Sequence, residues 1–317
     1  MKPSLRTLRL VFLLFYSMFF CAPLLWCQYG KSDRATFYTG ISPVILQKDA
    51  VEANFTNSLT SFWVAVNEYL PAYNATRVAN RYRFSRLEQL ARVSYGFSPD
   101  ARWDLGAELR YTHSRLDDEA RSSPFRVFEG DTGSGNTYRG LSYLGLRFRA
   151  MPFESLPELT LQANAQFPIT RQEELRLRLG AQRTQLGLMG TFYQQFNATT
   201  YLFLQAEWRV HLENDENPIT THTPSASAFL VLDLWDQKWY AFPGLTYAMA
   251  LQKVRSGGLA RLNRQFLGSV GLLYQPDTRY GFLFNAQLPF ILDSGSFYTE
   301  WVSESYSSFT LGIRLWY

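Results

Sequence analysis

Phe309-Thr310-Leu311-Gly312-Ile313-Arg314-Leu315-Trp316-Tyr317 is the stretch whose reading decides the fold. Phe309, Leu311, Ile313, Leu315 and Tyr317 are large and apolar, whereas the even positions up to Arg314 are small, polar or charged. A period of two is that of a β-strand with two unlike faces. A soluble protein gains nothing by ending in mid-strand on an exposed Leu-Trp-Tyr. A strand facing lipid does gain, because its aromatic tip sits at the membrane interface. The rest of the chain is expected to alternate in the same way.

Working back from this strand, Gln265–Tyr274 and Arg279–Leu288 read as a hairpin across Gln275-Pro276-Asp277-Thr278. Ala226–Leu234 and Trp239–Gln252 pair across Trp235–Lys238, and Gln185–Phe196 and Tyr201–Leu212 across Asn197–Thr200. Leu144, Leu146 and Phe148 alternate with Gly145, Arg147 and Arg149; after a Pro-containing turn, Leu159 to Phe167 does likewise. Trp103, Leu105, Ala107, Leu109 and Tyr111 oppose Asp104, Gly106, Glu108, Arg110 and Thr112, with a run from Arg83 before them. Ser58–Glu68 is the expected first strand, although a short helix competes there. The count is twelve strands.

Short turns alternate with long polar loops, the asymmetry of an outer-membrane barrel with its short turns in the periplasm. Aromatics crowd the short-turn end: Phe97 and Trp103, Phe196 and Tyr201, Trp235 and Trp239, Tyr274 and Tyr280, then Tyr317. A girdle at one depth accounts for them together. A soluble β-sandwich would also alternate, but with shorter strands and turns of mixed length.

The last strand resembles that of Gram-negative outer-membrane β-barrels, whose terminal aromatic is read by the barrel-assembly machinery. That resemblance makes Phe309, Leu311, Ile313, Leu315 and Tyr317 the expected assembly signal and the machinery an expected partner. From Arg83 to Tyr317, on Val93-Ser94-Tyr95-Gly96-Phe97-Ser98-Pro99, Trp103-Asp104-Leu105-Gly106 and Leu315-Trp316-Tyr317, the chain resembles the twelve-stranded, porin-like barrels called outer-membrane transporters. It implies an all-β, transmembrane antiparallel barrel in the outer membrane of a Gram-negative bacterium, in contact with lipid and lipopolysaccharide. Function follows from it only weakly.

At the other end, Lys2, Arg6 and Arg9 precede an apolar run from Leu10 to Leu25. Residues 1–27 are therefore expected to be a cleaved signal peptide, too short in their apolar run for the roughly 18–20 residues of a spanning helix. Residues 28–57 then form a periplasmic or lumenal segment and 58–317 the barrel. Both cysteines, Cys21 and Cys27, fall in the signal, so no disulfide, thiol nucleophile or Cys metal site is expected in the mature chain.

Aromatics at 16% beside a mean hydropathy of −0.18 fit strands apolar on one face only. Basic residues are spread at strand spacing, which argues against a nucleic-acid partner. The acidic clusters Asp117–Glu119 and Glu213–Glu216 and the basic Lys253, Arg255, Arg261 and Arg264 read as solvated loops, able at most to meet Ca²⁺ or lipopolysaccharide phosphates.

Alternation assigns an inner face. Arg86, Arg92, Arg110, Arg147, Arg149, Arg209, Arg279 and Arg314 point inward with Glu88, Asp104, Glu108, Glu207 and Asp233. An arginine facing lipid would cost about 2–4 kcal/mol at mid-bilayer. These residues either bridge one another as a plug or line a pore for small solutes. The excess of eight arginines over five acids would bias an open lumen toward anions. A non-conducting barrel that binds through its loops is the alternative. Twelve-stranded outer-membrane phospholipases carry His-x-Ser on the outer wall, but His113, His211 and His222 lack that spacing, so no enzyme, cofactor or metal is expected.

Overall fold

The computed structural model describes residues 45–70, 75–119, 121–129, 136–214, 218–235, 238–253, 259–277, 279–294 and 307–317. Among these residues the chain forms a closed antiparallel barrel of twelve strands, each beside its neighbour in sequence. In order they are β1 (Val51–Leu70), β2 (Ala75–Gly96), β3 (Trp103–Asp117), β4 (Thr137–Ala150), β5 (Leu159–Pro168), β6 (Gln185–Asn197), β7 (Thr200–His211), β8 (Thr221–Trp235), β9 (Trp239–Lys253), β10 (Leu259–Tyr274), β11 (Tyr280–Ser294) and β12 (Ser307–Trp316). The terminal stretch that announced the fold closes it. β12 pairs with β1 from Glu52↔Trp316 to Ser61↔Ser307, so no sheet edge is left.

Along β12 the faces separate as the pattern requires, with Phe309, Leu311 and Ile313 exposed on the outer wall and Ser308, Gly312 and Arg314 buried on the inner one. On β3 and β4 the outer Leu105, Leu109, Leu144, Leu146 and Phe148 are likewise exposed, and the inner Asp104, Glu108, Arg147 and Arg149 are buried. An apolar outer wall around a polar interior is the arrangement of an outer-membrane barrel. Among the described residues no helix is long and apolar enough to cross a membrane. At the short-turn end Phe97 stacks on Trp103 and Trp239 on Tyr274, at centroid distances of 5.7 and 4.5 Å, which forms part of the expected girdle. Tyr201 departs from that expectation: it turns inward and is buried, because Val231 and Phe203 share its face.

Several strands begin earlier or run longer than their hydrophobic pattern. β1 starts at Val51 rather than Ser58, and β2 at Ala75 rather than Arg83, with lengths of 20 and 22 residues. β10 starts at Leu259, which brings Arg261 and Arg264 out of the expected basic loop and into a strand, and β11 continues to Ser294. About 9–11 residues suffice to cross the bilayer. Beyond it water touches both faces, so alternation lapses while the hydrogen-bond ladder continues. The expected signal segment lies outside the described residues, as do residues 28–44.

Candidate functional site, the barrel lumen

The lumen beside β1–β4 is lined with charge. Glu52 is fully buried and accepts ion pairs from Arg314 at 2.5 Å, Arg149 at 3.4 Å and Arg147 at 3.9 Å. Arg149 also grips Asp104 with two nitrogens, Nε and Nη2, each 2.8 Å from a carboxylate oxygen. Arg147 donates to the Ser94 hydroxyl. A step further up the wall Arg92 meets Glu108 at 3.0 Å, and Glu108 also accepts from Gln166. Above these, Glu88 lies 2.7 Å from Arg86 and 3.7 Å from Arg110. Buried charges are tolerable only when paired and hydrogen-bonded in this way.

Two segments fold in against this wall. At the periplasmic end Ile45 and Leu46 are buried, the Leu46 amide donates to Asp104 at 3.1 Å, and the Asp49 amide donates to the Gly96 carbonyl at 2.9 Å. A Cβ at Gly96 would collide with the Gln47 carbonyl, so the close approach depends on glycine there. Residues 45–47 thus pack against the lumenal wall, while 51–57 belong to β1.

At the other end the connection between β5 and β6 is not only a polar loop. It carries a short helix, α1 (Glu173–Arg178), and buries Leu179 and Ala181 against the inward-facing Tyr143. The Tyr143 hydroxyl lies 3.2 Å from the carbonyls of both Gly180 and Arg183 and accepts from Gln185 at 2.8 Å. Arg86 donates to the Leu179 carbonyl and Ser114 to that of Arg178, at 2.9 and 3.0 Å. Tyr143 faces inward on the parity of Gly145, Arg147 and Arg149; the register shift at Arg110/Tyr111 adds Ser142 beside it, where its hydroxyl shares a hydrogen bond of 2.9 Å with Thr112.

The opposite wall, β7–β9 with β11 and β12, differs in chemistry. A cavity of about 270 Å³ is lined there by Gln205, Glu207, Ser225, Ser227, Phe229, Phe242, Thr246, Leu283, Asn285, Gln287 and Thr310. All but Glu207 are uncharged, and Glu207 is held by Arg209 at 2.6 Å. Ser227 and Thr246 share a hydrogen bond of 2.9 Å, and Ser58 with Thr310 one of 3.0 Å across the closure seam. These neutral residues share the inward parity of the charges, and that parity is the only trace they leave in the sequence.

Most of the residues expected on the inner face meet there in ion pairs. Asp104, Arg147, Arg149 and Arg314 share one cluster, Arg86, Glu88 and Arg110 a second, Arg92 and Glu108 a third, and Glu207 and Arg209 a fourth. Asp233 lies on β8 in register with Tyr240 of β9. Arg279 is a correction: it sits exposed in the turn before β11, where its amide donates to Asp277 at 2.6 Å. Glu52, the centre of the largest cluster, was missed because its strand begins before the apolar pattern does.

His113 lies on the outer wall between Leu87 and Arg139, and its Nε2 has no hydrogen-bond partner. His222 accepts at Nδ1 from the Trp208 indole at 3.3 Å. Among the described residues no group of three His, Cys, Asp or Glu side chains could hold a metal ion.

Neither a family model nor a curated protein matches this chain. The fold nevertheless has solved counterparts. The chain is similar to an outer-membrane channel from Pseudomonas putida F1, with a TM-score of 0.60 over 92% of this chain and 100% of that one, at 11% identity. It is also similar to the β domain of the Bordetella autotransporter Brka, with a TM-score of 0.53 over 84% of this chain and 100% of that one, at 10% identity. Identities this low establish the barrel fold and say nothing of cargo.

Proposed function

We propose that this protein is a passive, porin-like channel that admits small polar solutes along the neutral wall of its lumen. The observation carrying this reading is the division of the interior into a self-neutralised ionic wall and a cavity of about 270 Å³ lined by hydroxyl, amide and apolar side chains, whose one charged residue, Glu207, is paired with Arg209. Such a wall offers a solute hydrogen bonds without a deep electrostatic well, and conduction needs sites weak enough to leave.

The anion preference suggested by the arginine excess loses most of its basis. With Arg279 at the rim and Glu52 added, Arg86, Arg92, Arg110, Arg147, Arg149, Arg209 and Arg314 face Glu52, Glu88, Asp104, Glu108, Glu207 and Asp233. The side chains of Arg147 and Arg149 are at most 1% exposed. We read the protein as a conduit.

The test is single-channel conductance of refolded protein in a planar bilayer, together with swelling of liposomes in neutral sugars. Steady conductance with a reversal potential near zero in a KCl gradient is expected, and Thr246→Trp or Ser227→Trp should reduce it. Silence from protein shown to be folded by its heat-modifiable gel mobility, or conductance untouched by both substitutions, would defeat the reading. The two lumenal segments favour one competitor, a non-conducting barrel that binds a partner through its external loops. In that case deleting 117–136 would abolish binding while conductance stayed absent.

A further inference from the structure

On the β1–β3 side the outer wall turns polar at the upper edge of the apolar band. Strands rise about 3.3 Å per residue and tilt about 40°, which gives about 2.5 Å per residue along the membrane normal. Leu87, about ten residues above the girdle at Phe97, then lies about 25 Å up, at the far edge of an apolar band about 25 Å tall. At and above that level the outward-facing Ser61, Arg83, Ser85, Arg115 and Asp117 would meet the outer leaflet. They do not, because the β3–β4 connection folds down over them. All five are buried.

The cover is a 3₁₀ turn, Pro124–Phe128, whose first free amide is capped by Ser123. Its underside fixes it in place. Val127 is completely buried against Leu59 and Leu87, Asp117 pairs with Arg115 at 2.9 Å and with Arg126 at 3.1 Å, and Arg115 also donates to the Arg126 carbonyl at 3.0 Å. Its upper side is apolar. Phe125 and Phe128 are 62% and 60% exposed and stack on each other at 6.5 Å.

We propose that this strap is a membrane anchor whose phenylalanine pair inserts among the acyl chains of the outer leaflet. Two exposed rings on a pinned turn have no reason to face water, and at this height they continue the lipid-facing surface of Leu109, Leu141 and Leu144 over a patch where the strands are polar. The anchor stands whether or not the lumen conducts.

Depth measured by spin labels tests it. In the full chain carrying Cys21→Ser and Cys27→Ser, a nitroxide is attached through Phe125→Cys or Phe128→Cys after refolding into phosphatidylethanolamine–phosphatidylglycerol liposomes. Leu144→Cys, on the lipid-facing wall, and Glu154→Cys, in an exposed turn, serve as references. An oxygen-to-nickel accessibility ratio nearer that of Leu144 is expected at both sites; a ratio nearer that of Glu154 overturns the proposal. A second measurement needs no label. Phe125→Ser with Phe128→Ser should free the strap and speed tryptic cleavage after Arg121 or Arg126 about tenfold in liposomes, and equal rates in the parent and the double variant would overturn the proposal as well.

Discussion

Glu52 shows how one buried carboxylate can organise a wall. Three arginines, Arg147, Arg149 and Arg314, lie within 3.9 Å of it, from strands on either side of the closure seam. Removing one partner of a buried ionic cluster costs about 3–5 kcal/mol, because the others keep an uncompensated charge. Glu52→Gln is therefore expected to lower the urea midpoint of the heat-modifiable band by a clear margin. It should also move the reversal potential toward Cl⁻, since the net charge of the lumen rises by one. Gly180 works through its backbone. Its φ of +64° suits glycine, and an added Cβ would sit 3.0 Å from Arg86 Nη1. Gly180→Val should loosen the lumenal connection at a cost of about 1–2 kcal/mol, read as more open-channel noise in single-channel records.

At the scale of elements, α1 and residues 45–50 narrow the same half of the barrel from opposite ends. The α1 connection is held by the Tyr143 contacts and by the side-chain donors of Arg86 and Ser114 to its carbonyls. Replacing residues 172–182 with a short Gly-Ser link should raise single-channel conductance several-fold while leaving the barrel folded; an unchanged conductance would place the path elsewhere. Tyr143→Phe should give a smaller rise, because one hydroxyl near two carbonyls contributes about 0.5–1.5 kcal/mol. The long β1–β2 ladder makes a different point. Its 20- and 22-residue strands outrun the bilayer, and toward that end the main-chain ladder is joined by side-chain bonds of Ser61 to Ser85 and Arg83 and by the Phe62–Phe84 contact.

For the molecule as a whole, the near-balance of lumenal charges predicts weak ion selectivity. Neutral sugars of monosaccharide size should swell liposomes carrying the protein at rates that fall with solute size and change little with salt, since the polar wall acts without a net field. A strong salt dependence would indicate unpaired charge along the path.

Period-two alternation was enough to specify an outer-membrane barrel, the order of its strands and the inward parity of Arg86, Arg92, Arg147 and Arg314. Lipid imposes that pattern residue by residue, and it can be read locally. What alternation could not reach lies where lipid is absent: the start of β1 at Val51, the length of β2, and the strap over Ser61 and Ser85. Nor could parity tell a free charge from a paired one. Glu52 meets Arg314 through a closure contact between the two ends of the barrel, and Tyr143 on β4 meets Leu179 and Ala181 of the connection between β5 and β6. Partners far apart in sequence come together only when the sheet closes, so the tertiary structure alone decided that the arginines form a self-paired wall facing a largely neutral one.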